Sequence, residues 1–134
     1  MEEFTLKADD GLDLSIALFE IENPAAIVQI IHGMKEHKER YYDFIHFLNE
    51  TGFSVVISDN RGHGKSLNDK FPLGHMEGCD QIIKDQYLIT KYMKERYPGK
   101  KLYLIGHSFG SLLARCYLQQ HDDEIDKLVL SGTV

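Results

Sequence analysis

The chain has 134 residues, of which 43% are hydrophobic and 27% charged, and its formal net charge is −6. This composition is ordinary for a globular domain that buries most of its apolar surface, so residues 1–134 are expected to form a single domain. The acidic balance, with lysines and arginines interleaved among acids, argues against a nucleic-acid partner.

The sequence also bears on compartment and cysteine chemistry. Met1-Glu2-Glu3 opens the chain without a basic region followed by an apolar one, and no later stretch is long and apolar enough to span a bilayer. We therefore expect a cytoplasmic protein without stable membrane insertion. Cys79 and Cys116 have no repeated spacing, which favours reduced, structural thiols over a disulfide.

Extended runs are predicted, in chain order, at residues 4–8, 12–19, 26–31, 53–58, 101–105 and 127–130. The first two flank Asp9-Asp10-Gly11, and an Asp-Gly pair between extended runs is typical of a β-hairpin. The later runs are apolar at nearly every position, as in strands that are buried on both faces of a sheet.

Stripes of helical period separate these runs. They are Tyr41, Phe44, Ile45 and Leu48, then Ile82, Ile89, Met93 and Tyr97, then Leu112, Leu113, Cys116 and Tyr117. Strands that alternate with helices form βαβ units. The predicted fold class is therefore α/β, with a mainly parallel sheet, helices on both faces and an N-terminal antiparallel hairpin.

A candidate nucleophile lies where a predicted strand meets a predicted helix, in Gly106-His107-Ser108-Phe109-Gly110. Such a strand-to-helix turn needs small residues two positions before and after the serine. It also holds the serine in a strained conformation that exposes its hydroxyl. The N-terminus of the following helix favours negative charge beside it. We therefore predict Ser108 as a catalytic nucleophile.

The loop after the third predicted strand, His32-Gly33-Met34-Lys35-Glu36-His37, is the candidate for half of an oxyanion hole. Two backbone N–H groups aimed at a developing oxyanion lower the barrier by a few kcal/mol each. The predicted donors are the amides of Met34 and of Phe109. His32, Glu36 and His37 could instead hold a metal, but their spacing differs from the His-Glu-x-x-His signature, so no metal or other cofactor is predicted.

The loop after the fourth predicted strand runs from Asp59 to Ser66 and contains Gly64-Lys65-Ser66. This triplet imitates the end of a phosphate-binding loop, but that motif requires glycine where Asp59 stands. We expect a structural loop in which Asp59 and Arg61 tie the turn to its neighbours.

These motifs together resemble the monoglyceride lipase and lysophospholipase branch of the α/β-hydrolases, which also contains serine aminopeptidase-like enzymes. The resemblance extends from the Asp10-Gly11 hairpin to Gly106–Gly110 and covers nearly the whole chain in the expected order. It implies hydrolysis of a small acyl ester or lipid-like substrate through an acyl-enzyme on Ser108.

In this family the triad follows the order Ser, Asp or Glu, His, with the last two on loops after later strands. The resemblance therefore implies that the acid, the base and the substrate-shaping cap lie beyond Val134. Among the histidines present, His107 is adjacent to the serine but should diverge from it on a tight turn. His32 and His63 lie at the same end of the sheet and are less remote alternatives.

Two competing interpretations remain open at this stage. A sheet that ends at residues 127–130 exposes an unpaired edge, which favours a catalytically inactive chain that self-associates into a homo-oligomer or pairs with another chain. A dehalogenase or epoxide hydrolase on the same fold is disfavoured, because those enzymes carry aspartate at the position of Ser108.

Overall fold

The computed structural model describes residues 1–67 and 80–132. Its strands are β1 (Glu2–Lys7), β2 (Asp13–Phe19), β3 (Ala26–Ile31), β4 (Phe53–Ser58), β5 (Leu102–His107) and β6 (Lys127–Ser131). Its α-helices are α1 (Tyr42–Thr51), α2 (Asp80–Arg96) and α3 (Phe109–His121), and 3₁₀ turns lie at Lys38–Tyr41 and Asp122–Glu124.

The six strands form one sheet in the order β1-β2-β4-β3-β5-β6. The β1–β2 and β2–β4 pairs are antiparallel, whereas β4, β3, β5 and β6 are parallel to one another. The predicted α/β class, mainly parallel sheet and N-terminal hairpin are thus confirmed. The sheet edges are β1 and β6, and the predicted self-association through the β6 edge stays a prediction.

Helices cover both faces of the sheet, as predicted. On one face, Ile45 and Leu48 of α1 pack against β3 and β4. On the other face, Ile89 and Met93 of α2 and Leu113 of α3 pack against strand side chains. Within the described residues, no helix is both long enough and apolar enough to cross a membrane.

Strand β5 continues two residues past the predicted end. Gly106 pairs with Ile31 of β3, and His107 pairs with Ser131 of β6, so the hydrogen-bonded ladder runs up to the candidate nucleophile. Of the cysteines, Cys116 is half-buried on α3 and free, and Cys79 lies outside the described residues.

A buried polar cluster fixes α2 and α3 on the face of the sheet that they share. The side-chain amide of Gln29 in β3 donates to the side-chain oxygen of Gln86 at 2.9 Å and accepts from the Thr90 hydroxyl at 2.7 Å. Thr90 also hydrogen-bonds the Tyr117 hydroxyl of α3 at 2.7 Å. Because buried polar groups without partners are costly, this cluster specifies how α2 and α3 sit on the central strand.

Arg61 is a buried guanidinium that joins three parts of the fold. Its nitrogens contact both carboxylate oxygens of Asp85 on α2, at 2.9 and 3.0 Å, and both of Asp10 in the hairpin turn, at 2.7 and 3.1 Å. Burial raises the pKa of the Asp85 carboxyl despite this pairing. Hydrogen bonding to Arg61 lowers the pKa of Asp10.

Removing the Arg61 charge should therefore be strongly destabilising. We expect Arg61→Met to lower the free energy of unfolding by about 3–5 kcal/mol, because it leaves the carboxylate of Asp85 buried without its partner. Urea denaturation measures this loss.

A matched control is Lys7→Met, which removes an ion pair to Asp13 whose side chains are 67% and 59% exposed. Exposed pairs contribute less than about 1 kcal/mol. Adding Asp85→Asn to Arg61→Met should restore part of the lost stability. An Arg61→Met loss no larger than the Lys7→Met loss would show that Arg61 does not hold these elements together.

Candidate active site

Ser108 stands at the junction of β5 and α3 with a backbone conformation that is rare for a side-chain-bearing residue. Its φ is 55° and its ψ is −121°. The residue is exposed, and its amide donates to the carbonyl of Ser131 at 2.8 Å. Non-glycine residues in such conformations persist where the surrounding structure imposes them, often at functional sites.

The two flanking glycines explain what imposes this conformation. A Cβ at Gly110 would overlap the carbonyl oxygen of Ile31 and lie 2.8 Å from that of His32. A Cβ at Gly106 would overlap the carbonyl oxygen of Gly110 and lie 2.8 Å from its carbonyl carbon. The first turn of α3 is thus in backbone contact with β3, and only glycine fits at these two positions.

The loop after β3 lies directly against this turn. A Cβ built on Gly33 would be 3.4 Å from Ser108 Cβ and 3.2 Å from the carbonyl oxygen of His107. The next residue, Met34, is half exposed. Within the described residues, the structure shows no hydrogen bond from the Met34 amide.

His32 anchors the start of this loop from within the core. The ring is fully buried, with Nε2 accepting the Asn60 amide at 2.8 Å and Nδ1 lying 2.7 Å from the Gly33 carbonyl oxygen. These contacts require a neutral ring that carries its proton on Nδ1. Burial lowers the pKa of His32 to about 4, so His32 is a structural group and is unsuited to accept a proton from Ser108.

The loop after β4 is held by a buried ion pair. Asp59, which is fully buried, accepts from the backbone amide of Lys38 at 2.8 Å and from its ammonium at 2.9 Å. It also accepts the Lys65 amide at 3.0 Å. Asp59 and Arg61 thus both contact neighbouring segments, and Asp59 ties the two loops at this end of the sheet together.

The remaining histidines near Ser108 point elsewhere. The Nδ1 atom of His107 lies 3.1 Å from the Ser131 hydroxyl. His63 is buried, with Nδ1 3.1 Å from the carbonyl oxygen of Arg61. Within residues 1–67 and 80–132, no histidine is hydrogen-bonded to the Ser108 hydroxyl.

Sequence reasoning considered Glu36 only as a possible metal ligand and missed its contact with the Gly33 amide, in the loop that faces Ser108. One of its oxygens accepts hydrogen bonds from the Gly33 amide at 2.7 Å and the Tyr41 hydroxyl at 2.6 Å, and the other lies 3.0 Å from Arg40 Nε in an ion pair. Burial opposes its ionisation, but the hydrogen bonds from Tyr41 and Gly33 together with the charge of Arg40 lower the pKa of Glu36. In the sequence, Glu36 is only a charged residue in a short loop, and nothing local indicates these contacts.

A cavity of about 450 Å³ opens beside the turn between β5 and α3. Its apolar wall is formed by Phe44, Ile105 and Val129, and its polar wall includes Tyr41, His107 and Ser131. Ser108 does not line this cavity. The structure thus brings Ser108, His107, Gly33 and the end of β3 together, with Asp59 supporting them from the next loop.

The strained backbone at Ser108 leads to a stability prediction. We expect Ser108→Gly to be more stable than Ser108→Ala by about 1 kcal/mol, because glycine relieves a positive φ that alanine retains. Both variants lose the hydroxyl, so denaturant unfolding isolates the backbone term.

The same pair of substitutions at Ser111, three residues further along in α3, is the control. There the glycine variant should be the less stable by about 1 kcal/mol, as is usual in a helix. Equal stabilities for Ser108→Gly and Ser108→Ala would mean that residue 108 is not strained in solution.

The buried neutral ring of His32 predicts a pH dependence of stability. Its pKa is about 4 in the folded chain and about 6.5 when unfolded. Only the unfolded state binds a proton between these values, so stability falls as the pH drops from 6.5 to 4. A difference of this size corresponds to about 3 kcal/mol.

This contribution is measured by urea unfolding at several pH values for the parent and for His32→Asn, which cannot titrate. The variant should be less stable at pH 7 but should lose less stability on acidification. His46→Asn, which removes an exposed histidine on α1, should keep the parent slope. If the stability of His32→Asn fell with pH as steeply as that of the parent, the proton uptake could not be assigned to His32.

Comparisons with known proteins identify the family. The family described as serine aminopeptidase, S33, matches residues 22–134. A monoglyceride lipase homolog of Monkeypox virus is 35% identical over 101 residues, which are 72% of this chain and 35% of that protein. Lysophospholipase L2 of Escherichia coli strain K12 is 29% identical over 128 residues, covering 92% of this chain and 37% of that protein.

Solved structures give the same picture. A thermostable carboxyl esterase from Bacillus coagulans superposes with a TM-score of 0.87 at 32% identity, covering 96% of this chain and 43% of the esterase chain. A monoglyceride lipase from Saccharomyces cerevisiae, at 22% identity and a TM-score of 0.86, shares the fold. The chain spans less than half the length of these relatives. Because the family match covers most of its residues, the chain belongs to the serine aminopeptidase S33 family of α/β-hydrolases.

Proposed function

We propose that this chain carries the nucleophile of a serine carboxyl-ester hydrolase that acts on monoacylglycerols, lysophospholipids or related acyl esters. The observation that carries the proposal is the strained, exposed Ser108 against the Gly33 loop. The similarity to a monoglyceride lipase homolog and to lysophospholipase L2 supports the substrate class.

The proposed reaction is an acyl transfer from the ester to Ser108, followed by hydrolysis of the acyl-enzyme. As Ser108 Oγ bonds to the ester carbonyl carbon, its proton passes to a general base and the carbonyl π electrons move to oxygen. The resulting oxyanion accepts hydrogen bonds from the Met34 and Phe109 amides. Collapse expels the alcohol, which takes up the proton, and water then releases the fatty acid from Ser108.

We propose that the base and its acid partner come from polypeptide outside the described residues. His32 is buried and neutral, and His107 contacts Ser131. In this family the acid and histidine follow the nucleophile in the chain. Alone, the 134 residues would provide a nucleophile and the amides that stabilise the oxyanion. Such a site can retain roughly 10³- to 10⁴-fold acceleration over the reaction in water.

The family description also includes aminopeptidases, so the scissile bond has to be tested. We favour esters, because the lipase, lysophospholipase and esterase relatives cover 72%, 92% and 96% of this chain. With paired p-nitrophenyl ester and p-nitroanilide substrates, we expect measurable turnover of the ester only.

Fluorophosphonate labelling tests the nucleophile. We expect rapid labelling of a longer polypeptide that continues past residue 134, and labelling at least 100-fold slower for the 134 residues alone, because the base is missing. Ser108→Ala in the longer form should abolish the label.

Ser131→Ala is the matched control, because it removes another exposed serine at the same end of the sheet and should leave labelling intact. Labelling that survives Ser108→Ala, or that is absent from the longer form, would refute the proposal.

A further inference from the structure

The carboxylate of Glu36 closes the loop that faces the nucleophile. Its side chain is 11% exposed. The oxygen that binds the Gly33 amide is the same one that binds the Tyr41 hydroxyl, at 2.7 and 2.6 Å. Both bonds are charge-assisted, a class roughly twice as strong as neutral hydrogen bonds.

Backbone hydrogen bonding within the turn over residues 33–36 is weak. The turn over residues 33–36 is closed by one long bond, 3.4 Å from the Glu36 amide to the Gly33 carbonyl oxygen. Lys35 has a φ of 59°, which costs a residue with a side chain of order 1 kcal/mol or more. Such a turn needs side-chain contacts to persist, and the contacts of Glu36 span it.

The hydrogen bond from the Gly33 amide to Glu36 also determines which backbone amide is left to donate to a substrate. Gly33 N–H already points to Glu36, so it is not available to an oxyanion. Met34 is the next residue, and within the described residues its amide has no hydrogen bond. A rotation of the Gly33–Met34 segment would aim the wrong amide at the reacting oxygen.

We propose that Glu36 is a positioning residue: its carboxylate fixes the Gly33–Glu36 turn so that the Met34 amide faces the oxyanion formed at Ser108, and Tyr41 orients that carboxylate. This proposal rests on the proposed function. A negative charge near an oxyanion is unfavourable in itself, but here Arg40 and two hydrogen-bond donors compensate it. The role is indirect, because Glu36 acts through the backbone of residues 33 and 34.

The test is the rate of fluorophosphonate inactivation in the longer, label-competent form. We expect Glu36→Ala to lower the maximal inactivation rate about 100-fold, with the concentration for half-maximal rate within threefold of the parent. Loss of an oxyanion donor typically costs 10²- to 10³-fold in the chemical step, and that step alone should suffer if ground-state binding is intact.

Two further variants grade the effect. Glu36→Gln keeps an oxygen acceptor for both donors and should recover at least a tenth of the parent rate. Tyr41→Phe removes only the orienting hydroxyl and should lower the rate about tenfold, because one hydrogen bond to a charged group is lost. Glu50→Ala, which removes an exposed carboxylate of α1, is the control and should react like the parent.

A separate measurement reports on the loop itself. The Gly33 amide proton, hydrogen-bonded to a carboxylate, should resonate downfield and exchange slowly in the parent. Glu36→Ala should remove both properties, whereas Glu50→Ala should not. This readout keeps the test meaningful if Glu36→Ala also loses stability.

The outcomes are distinguishable. If the parent is labelled and Glu36→Ala is labelled at the same rate, the positioning role is overturned and the hydrolase proposal stays in place. A slowed Glu36→Ala whose Gly33 amide is unchanged would overturn it as well, because the effect would then not pass through the loop. A parent that is not labelled at Ser108 would instead refute the proposed function.

Discussion

The site depends on one close contact, the packing of the first turn of α3 on the end of β3. No Cβ fits at residue 110, because the carbonyl oxygen of Ile31 already occupies that space. This approach forces the chain from β5 into α3 within a single residue, and Ser108 takes the positive φ. It also brings Gly33, the second residue after β3, against Ser108. Strain, exposure and proximity to the loop therefore have a common cause.

Buried charges then fix the loops that the close contact brings together. Lys38 pairs with Asp59, and Arg61 pairs with Asp10 and Asp85, each across loop and element boundaries. Buried ion pairs often add little net stability, because desolvation offsets their attraction. Their directionality, however, makes a misplaced loop expensive, since it would leave a charge unpaired. We interpret these pairs as devices that select one loop arrangement at the end of the sheet.

Sequence periodicity predicted the elements because they bury regular faces: β3 and β4 were predicted at their observed bounds, and Ile45 and Leu48 of the first predicted helical stripe are buried in the core. Phe44 of the same stripe is instead exposed, and Tyr41 lies in the 3₁₀ turn before α1. Ser108 could be found because tight backbone packing demands glycine at two fixed positions. The partners of Arg61 lie 51 and 24 residues away, and no local pattern encodes such pairing. The burial of Lys38 and Glu36 was not predicted for a related reason: charged loop residues are usually solvated, and their burial arises only when the loops meet.

In the proposed acyl transfer, two demands would fall on different parts of the structure. Stabilisation of the oxyanion needs amides held still, and it would depend on the short-range geometry of β3, its loop and the β5–α3 turn. Proton transfer needs a group whose pKa is near the working pH, yet His32, the histidine at the end of β3, is kept neutral by burial. The same burial that makes His32 a rigid support for the loop makes it a poor base. Under the proposed mechanism, the base would therefore come from another segment of the polypeptide than the end of β3, as in a triad whose members are far apart in sequence.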